Sequence, residues 1–313
     1  MVLRVLREPI MPSLRCIVAA TDFSSYSERA VQRAASIAKQ HQAELHLLHV
    51  VRPLDLYPGL TLGPDEFGHH DQALQQAEQT RVDAMAATLA SQFGIRIRPV
   101  TRLGRAHAEI AAYAQGVSAD LVAAGARGEN SLMDLILGST ASRLLRVATC
   151  PVLIVRKPAD EPYRKVLAAV DFSSVSAAVV SYALSLAGGA RVEMLHVLGS
   201  EVEQRLRKAK FVDVDVTDWL ARLRSEAEKQ MEALLAPIEN NAAVGRLVQP
   251  GYSPAVICQC IEEGHADLVV LGRHGNGGGL QDWLLGSVSK DVAFAAACDV
   301  LLIGPGGTMA TAA

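Results

Sequence analysis

The chain of 313 residues carries 30 Lys plus Arg against 33 Asp plus Glu, a net charge of −3; half of its residues are hydrophobic and only 4% are aromatic. Balanced charge without blocks leaves no broad electrostatic footprint for nucleic acid or an anionic membrane surface, and few aromatic side chains remain for stacking single-stranded bases. Five cysteines without a framework spacing, an N-terminus interrupted by Arg4, Arg7 and Glu8, and no apolar run near the roughly 18 residues that span a bilayer predict a cytoplasmic protein.

From residue 16 onward, short β-rich runs alternate with longer helical patterns. Strands are expected at 16–21, 44–50, 95–101, 121–125 and 152–155, with helices running to about 40, from about 71 to 93, to about 117, and from 139. Such alternation means βαβ units, a mainly parallel sheet and helices on both faces. The runs IVAA, LVAAG and VLIV are apolar without alternation, as strands covered on both sides should be.

The same order then returns. IVAATDFSSYS from Ile17 recurs as VLAAVDFSSVS from Val166, LLHV ending at Val50 as MLHV ending at Val197, and ADLVAAG ending at Gly125 as ADLVVLG ending at Gly272. Six ordered anchors keep offsets of 147 to 149 residues, too long for a solenoid repeat and right for a duplicated domain. The second copy predicts strands at 166–170, 192–197, 243–249, 268–272 and 300–303, and Ser253-Pro254 reads as a hydroxyl cap followed by proline at the first helical position. Pro158, Asp160, Glu161 and Pro162 mark a break. The expected organisation is a first domain over 1–157, a linker over 158–163, a second domain over 164–304 and a tail over 305–313. The copies diverge most in a Pro- and Gly-rich loop over 53–70 and a charged stretch over 201–218, places where specificity often resides.

The residues with chemical potential sit at strand ends. Gly125, Arg127, Gly128, nine residues, then Gly138, Ser139 and Thr140 form the pattern G-x2-G-x9-G-S after the fourth strand. Glycines there let a ligand approach the backbone, and the N–H groups of a helix start favour an anion. Asp22 ends the first strand, where a carboxylate can reach a base or ribose while the Gly-Ser turn holds phosphate; as helix caps, Asp22 and Ser139 have an ordinary reading too. No G-x-x-x-x-G-K-[ST] motif is present and neither loop offers a lysine, which argues against fast phosphoryl transfer. Any hydrolysis would rest on backbone donors, Arg127 or His274 and a magnesium ion. His49 and His196 read as hydrogen-bonded structural histidines, and His69-His70 lacks a third ligand for a metal. Cys258 and Cys260 stand two apart on a helix and do not face each other. Ser24, Ser25, Ser173 and Ser174 lack a G-x-S-x-G frame and read as caps, not nucleophiles.

TDFSSYS and VDFSSVS, the two LHV strand ends, the Gly-x2-Gly loop with its Gly-Ser helix start and the closing CPVLIV together resemble the universal stress protein family, in tandem form, over nearly both repeats. The resemblance implies an α/β fold of two tandem doubly wound domains, each a five-stranded parallel sheet of order 3-2-1-4-5, with ATP or ADP or AMP, with or without magnesium, bound across the first and fourth strands. It places Ala20, Asp22 and Val50 against adenine or ribose and Gly125, Arg127, Gly128, Gly138, Ser139 and Thr140 against ribose and phosphates. In the second repeat the matching positions are Ala169, Asp171, Val197, Gly272, His274, Gly275, Gly286, Ser287 and Val288. That repeat departs from the family spacing: ten residues separate Gly275 from Gly286, and His274 replaces the arginine. Gly277-Gly278-Gly279 is suited to absorbing the extra residue.

The implied function is stress-response regulation through nucleotide binding, in a homodimer or an intrachain pseudo-dimer whose last strands, 152–155 and 300–303, are candidate pairing edges. Two alternatives stand beside it: an interaction module with vestigial sites, and an adenylate-forming enzyme, for which no second substrate pocket stands out.

Overall fold

The computed structural model describes residues 12–53, 64–128, 137–159, 161–199, 216–238, 244–275 and 285–304, with side chains for all of these except 64–69 and 216–217. Most of the two divergent loops, residues 129–136 and 276–284 with their three glycines, and the tail after 304 lie outside the described residues.

The first repeat runs β1 (Cys16–Thr21), α1 (Ser25–His41), β2 (Glu44–Val51), α2 (Pro64–Phe93), β3 (Ile97–Leu103), α3 (Ala106–Gly116), β4 (Leu121–Gly125), α4 (Ser139–Val147) and β5 (Val152–Val155). The second runs β6 (Lys165–Val170), α5 (Ser176–Ala187), β7 (Arg191–Gly199), α6 (Val216–Leu235), β8 (Gly245–Gly251), α7 (Ser253–Gly264), β9 (Leu268–Gly272), α8 (Ser287–Ala295) and β10 (Asp299–Ile303). The alternation of short apolar runs with amphipathic ones thus yields the α/β architecture expected. The largest boundary shift is at α2, which begins at Pro64, well before 71, and both β3 and β8 start two residues later than their expected patterns.

All strands lie in one ten-stranded sheet of order β3-β2-β1-β4-β5-β10-β9-β6-β7-β8. Each half is parallel within itself in the order 3-2-1-4-5, and the halves meet where β10 runs antiparallel to β5, pairing Val300 with Ile154 and Leu302 with Val152. The two last strands therefore pair within the chain. Asp120 and Asp267, just before β4 and β9, fix the central strands: each carboxylate accepts two backbone N–H bonds, from Arg15 and Cys16 and from Arg164 and Lys165.

One apolar layer covers each face, and both run across the junction. The first joins Val31 and Ala34 of α1 to Val180 and Ala183 of α5, with Val82 of α2 and Met231 of α6 further out. The second packs α3, α4, α7 and α8 through Ile110, Leu144, Leu145, Ile257 and Val292. At roughly 1.5–3 kcal/mol for each fully buried Leu, Val or Ile side chain, these layers supply the main drive to fold.

The seam also holds a buried polar cluster. Asp299 is 0% exposed; Oδ1 accepts the N–H groups of Arg156 (2.8 Å) and Lys157 (3.0 Å), and Oδ2 accepts the Tyr163 hydroxyl (2.8 Å) with Arg33 at 3.5 Å. The Arg33 guanidinium lies 4.2 Å from the Tyr163 ring centre and donates to the carbonyls of Glu161 and Pro158. Burial pushes the Asp299 carboxyl above its usual range, against those hydrogen bonds, and drives the Tyr163 phenol well above 10. Two further arginines cross the seam to helix ends of the opposite repeat: Arg273 to the carbonyls of Ala148 and Cys150, and Arg156 to that of Ala293. Cations at helix C-termini answer the dipole there.

Candidate functional site

In each half the sheet order reverses between the central strand and its later neighbour, β1 and β4 or β6 and β9. The crevice outside the carboxyl ends of those strands is where doubly wound sheets take ligands. An acid stands at each crevice. Asp22 Oδ1 accepts the Ser24 N–H (3.1 Å) and hydroxyl (2.5 Å), and Asp171 Oδ1 accepts the Ser173 N–H (3.0 Å) and the Ser176 hydroxyl (3.2 Å).

The other carboxylate oxygen meets the glycine loop. A Cβ built on Gly128 would lie 2.7 Å from Asp22 Oδ2, and one on Gly275 would lie 2.8 Å from Asp171 Oδ2. Only a residue without a side chain allows that approach, and the sequence places glycine there twice. Gly125 is similarly confined, its virtual Cβ 2.8 Å from the Tyr26 backbone at the start of α1.

The loop then returns to open a helix. The Gly138 N–H donates to the Ala126 carbonyl (2.8 Å) and the Gly286 N–H to that of Arg273 (3.0 Å), closing each excursion at its base. Gly138 and Gly286 are the N-caps of α4 and α8, with ψ of 152° and 149° and no side-chain cap bond. Ser139 is therefore the first helical residue and not the cap its ordinary reading predicted. Ser139, Thr140 and Ser287 are exposed, and Val288 is half-buried. A helix start without a capping side chain leaves N–H groups able to meet an anion. Ala20, Val50, Ala169 and Val197 line up half-buried toward the strand ends, packed on the same layer as α4 and α8.

Several residues have duller roles than their position suggests. His49 Nδ1 donates to the Thr21 carbonyl (2.8 Å) and His196 Nδ1 to that of Val170 (2.9 Å), so both histidines pin neighbouring strand ends. Their rings rest on Phe23 and Phe172, 4.7 and 4.3 Å between centres, each phenylalanine held at φ 61°, a region L residues seldom occupy. Ser24 caps α1 by accepting the Ser27 N–H, but α5 starts later, with Val175 as N-cap, so Ser173 and Ser174 cap nothing. Likewise Tyr252, not Ser253, is the N-cap of α7. Burial pushes the Cys16 and Cys150 thiols up to about 11, so neither is a thiolate at neutral pH.

The repeats differ beside the glycines. Arg127 donates to the Tyr26 hydroxyl (2.8 Å), 5.1 Å from its ring centre, with Arg29 at 5.0 Å. Tyr26 escaped the sequence reading, although TDFSSYS against VDFSSVS marks it: the second repeat has Val175 there. His274 replaces Arg127, and both its ring nitrogens are buried without a hydrogen-bond partner among the described residues. Among those residues no group of three or more His, Cys, Asp or Glu side chains converges to hold a metal, and no helix is long and apolar enough to cross a membrane.

Comparison with known proteins bears on the family and the fold. Over 92% of its length the chain is 30% identical to a universal stress protein of Mycolicibacterium smegmatis, covering 97% of that protein. A universal stress protein of Methanocaldococcus jannaschii is 32% identical over 145 residues, 46% of this chain and 84% of its own. The crystal structure of a universal stress protein from Archaeoglobus fulgidus superposes with a TM-score of 0.67 at 21% identity, covering 92% of this chain and 98% of its own. The universal stress protein family model matches residues 14–156 and again 162–304. With both repeats matched and the duplicated sheet in place, the chain belongs to the universal stress protein family.

Proposed function

We propose that this tandem universal stress protein binds an adenine nucleotide, ATP or its shorter relatives, in one or both crevices and acts as a regulatory module whose conformation or partner binding follows occupancy. The observation that carries the reading is the repeated contact of a strand-end carboxylate with a side-chain-free loop, Asp22 on Gly128 and Asp171 on Gly275, beside a helix start without a side-chain cap. The acid suits ribose or base hydroxyl and amine donors and would repel phosphate, whereas the helix N–H groups suit phosphate, so a nucleotide has one sensible orientation. Ala20 and Val50 would face the base, and Gly125, Arg127, Gly138, Ser139 and Thr140 the ribose and phosphates; Ala169, Val197, Gly272, His274, Gly286, Ser287 and Val288 are their counterparts. A magnesium ion would enter on the phosphates, since a hydrated Mg2+ needs few protein ligands.

Binding to two states with unequal affinity is what would make such a module signal. The test is the nucleotide content of purified protein, read by denaturing it and separating released small molecules, alongside Gly138→Val and Gly286→Val. One or two adenine nucleotides per chain, each lost with its own glycine, is the expected result. No nucleotide, and no uptake of added ATP with magnesium, would leave the paired halves as an interaction module.

A further inference from the structure

The two crevices share their glycines and acids but not the charges at their mouths. In α4, Arg143 stands four residues after Ser139, and in α8, Asp291 stands four residues after Ser287. Residues at i and i+4 are surface neighbours, and helical side chains lean toward the N-terminus. Both side chains therefore lean back over the first turn of their own helix. The second contributor is the N-cap of the preceding helix, Arg105 in α3 and Tyr252 in α7.

In the second repeat these two positions touch: the Tyr252 hydroxyl donates to Asp291 Oδ2 at 3.1 Å. In the first, α3 packs against α4, and burial first, then the fields of Arg143 and Arg105, hold the His107 imidazole below 6.5. Arg105 and Arg143 are exposed and make no ion pair among the described residues; the nearby Glu109 is taken by Arg102 at 3.2 Å. Lys290, where the first repeat has Ser142, returns one positive charge to the second mouth. Among the described residues, the first mouth has Arg105 and Arg143, two positive charges, with Arg127 in the glycine loop; the second has Lys290 against Asp291, which cancel, with His274 in the loop.

We infer that the crevices have diverged in ligand charge: the first selects nucleoside polyphosphates through Arg105 and Arg143, and the second, with Tyr252 and Asp291, does not reward phosphates beyond the first. The inference rests on the nucleotide-binding reading and deepens it. A pair of exposed charges a few ångströms from a terminal phosphate is worth roughly tenfold in affinity at low salt, and a carboxylate in the same place removes as much.

Calorimetric titration of the intact chain with adenosine, AMP, ADP and ATP in magnesium-free buffer tests it, with Gly286→Val isolating the first crevice and Gly138→Val the second. In the Gly286→Val chain, ATP is expected to bind at least about tenfold more tightly than AMP, a ratio that shrinks as salt rises and falls toward one with Arg105→Tyr and Arg143→Asp added. In the Gly138→Val chain the ratio should be near one and rise with Asp291→Arg. Should a glycine variant fail to fold, the same surface substitutions in the unblocked chain give the two ratios as resolved isotherms. Equal phosphate dependence in both crevices, or swaps that leave the ratios unmoved, overturns the inference while nucleotide binding stands. No binding of any of the four ligands, without or with added magnesium, overturns both.

Discussion

Gly128 and Asp22 are a contact that can be tested as a pair. A methyl group on Gly128 would press on Asp22 Oδ2 at 2.7 Å, and overpacking of this kind costs about 1–3 kcal/mol. Gly128→Ala should therefore lower the urea midpoint, and Asp22→Ala should restore part of the loss, since residues in contact do not add independently. Additive effects would mean that the carboxylate does not rest on the loop. Asp299 is the second residue whose loss should be felt. Removing one partner from a buried charged network costs about 3–5 kcal/mol, so Asp299→Ala, which strands Arg33, Tyr163 and two N–H groups, should be far less stable than Asp299→Asn. Position alone could have flagged it: CPVLIV in the first repeat faces CDVLLI in the second, a charge inside an otherwise apolar strand.

At the scale of elements, one buried and two half-buried histidines set a direction for pH. Burial, ahead of the smaller opposing effects, holds His46 of β2, His196 of β7 and His41 of α1 below the ordinary 6.5. A depressed folded-state pKa means that the unfolded chain takes up protons first as pH falls. The stability these groups contribute is present above about pH 6.5 and is lost below it. Urea midpoints should fall between about pH 7.5 and pH 5.5, and His46→Asn should flatten that fall; an unchanged slope would assign it elsewhere. Elements were legible where pattern and packing agree. The strands at 121–125 and 152–155 and the start of α4 stand where an unbroken apolar run or a Gly-Ser start put them. α2 instead begins at Pro64, ahead of the helical pattern expected from about 71, and a proline's fixed φ suits a first helical turn. The caps of α4 and α7 were misassigned for a different reason: a hydroxyl beside a helix start signals capping, but the backbone bonds of Gly138 and the extended Tyr252 had already set the entry.

For the whole molecule, the antiparallel β5–β10 pair and the two layers that run through it make the halves one body. Calorimetry should show a single unfolding transition, as a shared core demands; two separable transitions would contradict it. A chain ending near residue 157 would expose β5, whose four residues are all buried here, and such an edge invites pairing with another chain. That half should dimerise or precipitate on size-exclusion chromatography, and mixing it with the second half should rescue it.

By itself the sequence determined the duplication, the βαβ order, the strand-end position of the acids and the glycine spacing, because periodicity and special backbone needs are local and are written residue by residue. The tertiary structure alone decided that the last strands pair within the chain, that Asp299, Arg33 and Tyr163 meet at the seam, and that Tyr252 bonds Asp291 in one half while Arg105 and Arg143 both lie near His107 in the other. Those contacts join residues far apart in the chain, and which side chains become neighbours across such a distance is fixed only when the sheet has assembled and its two faces have been covered.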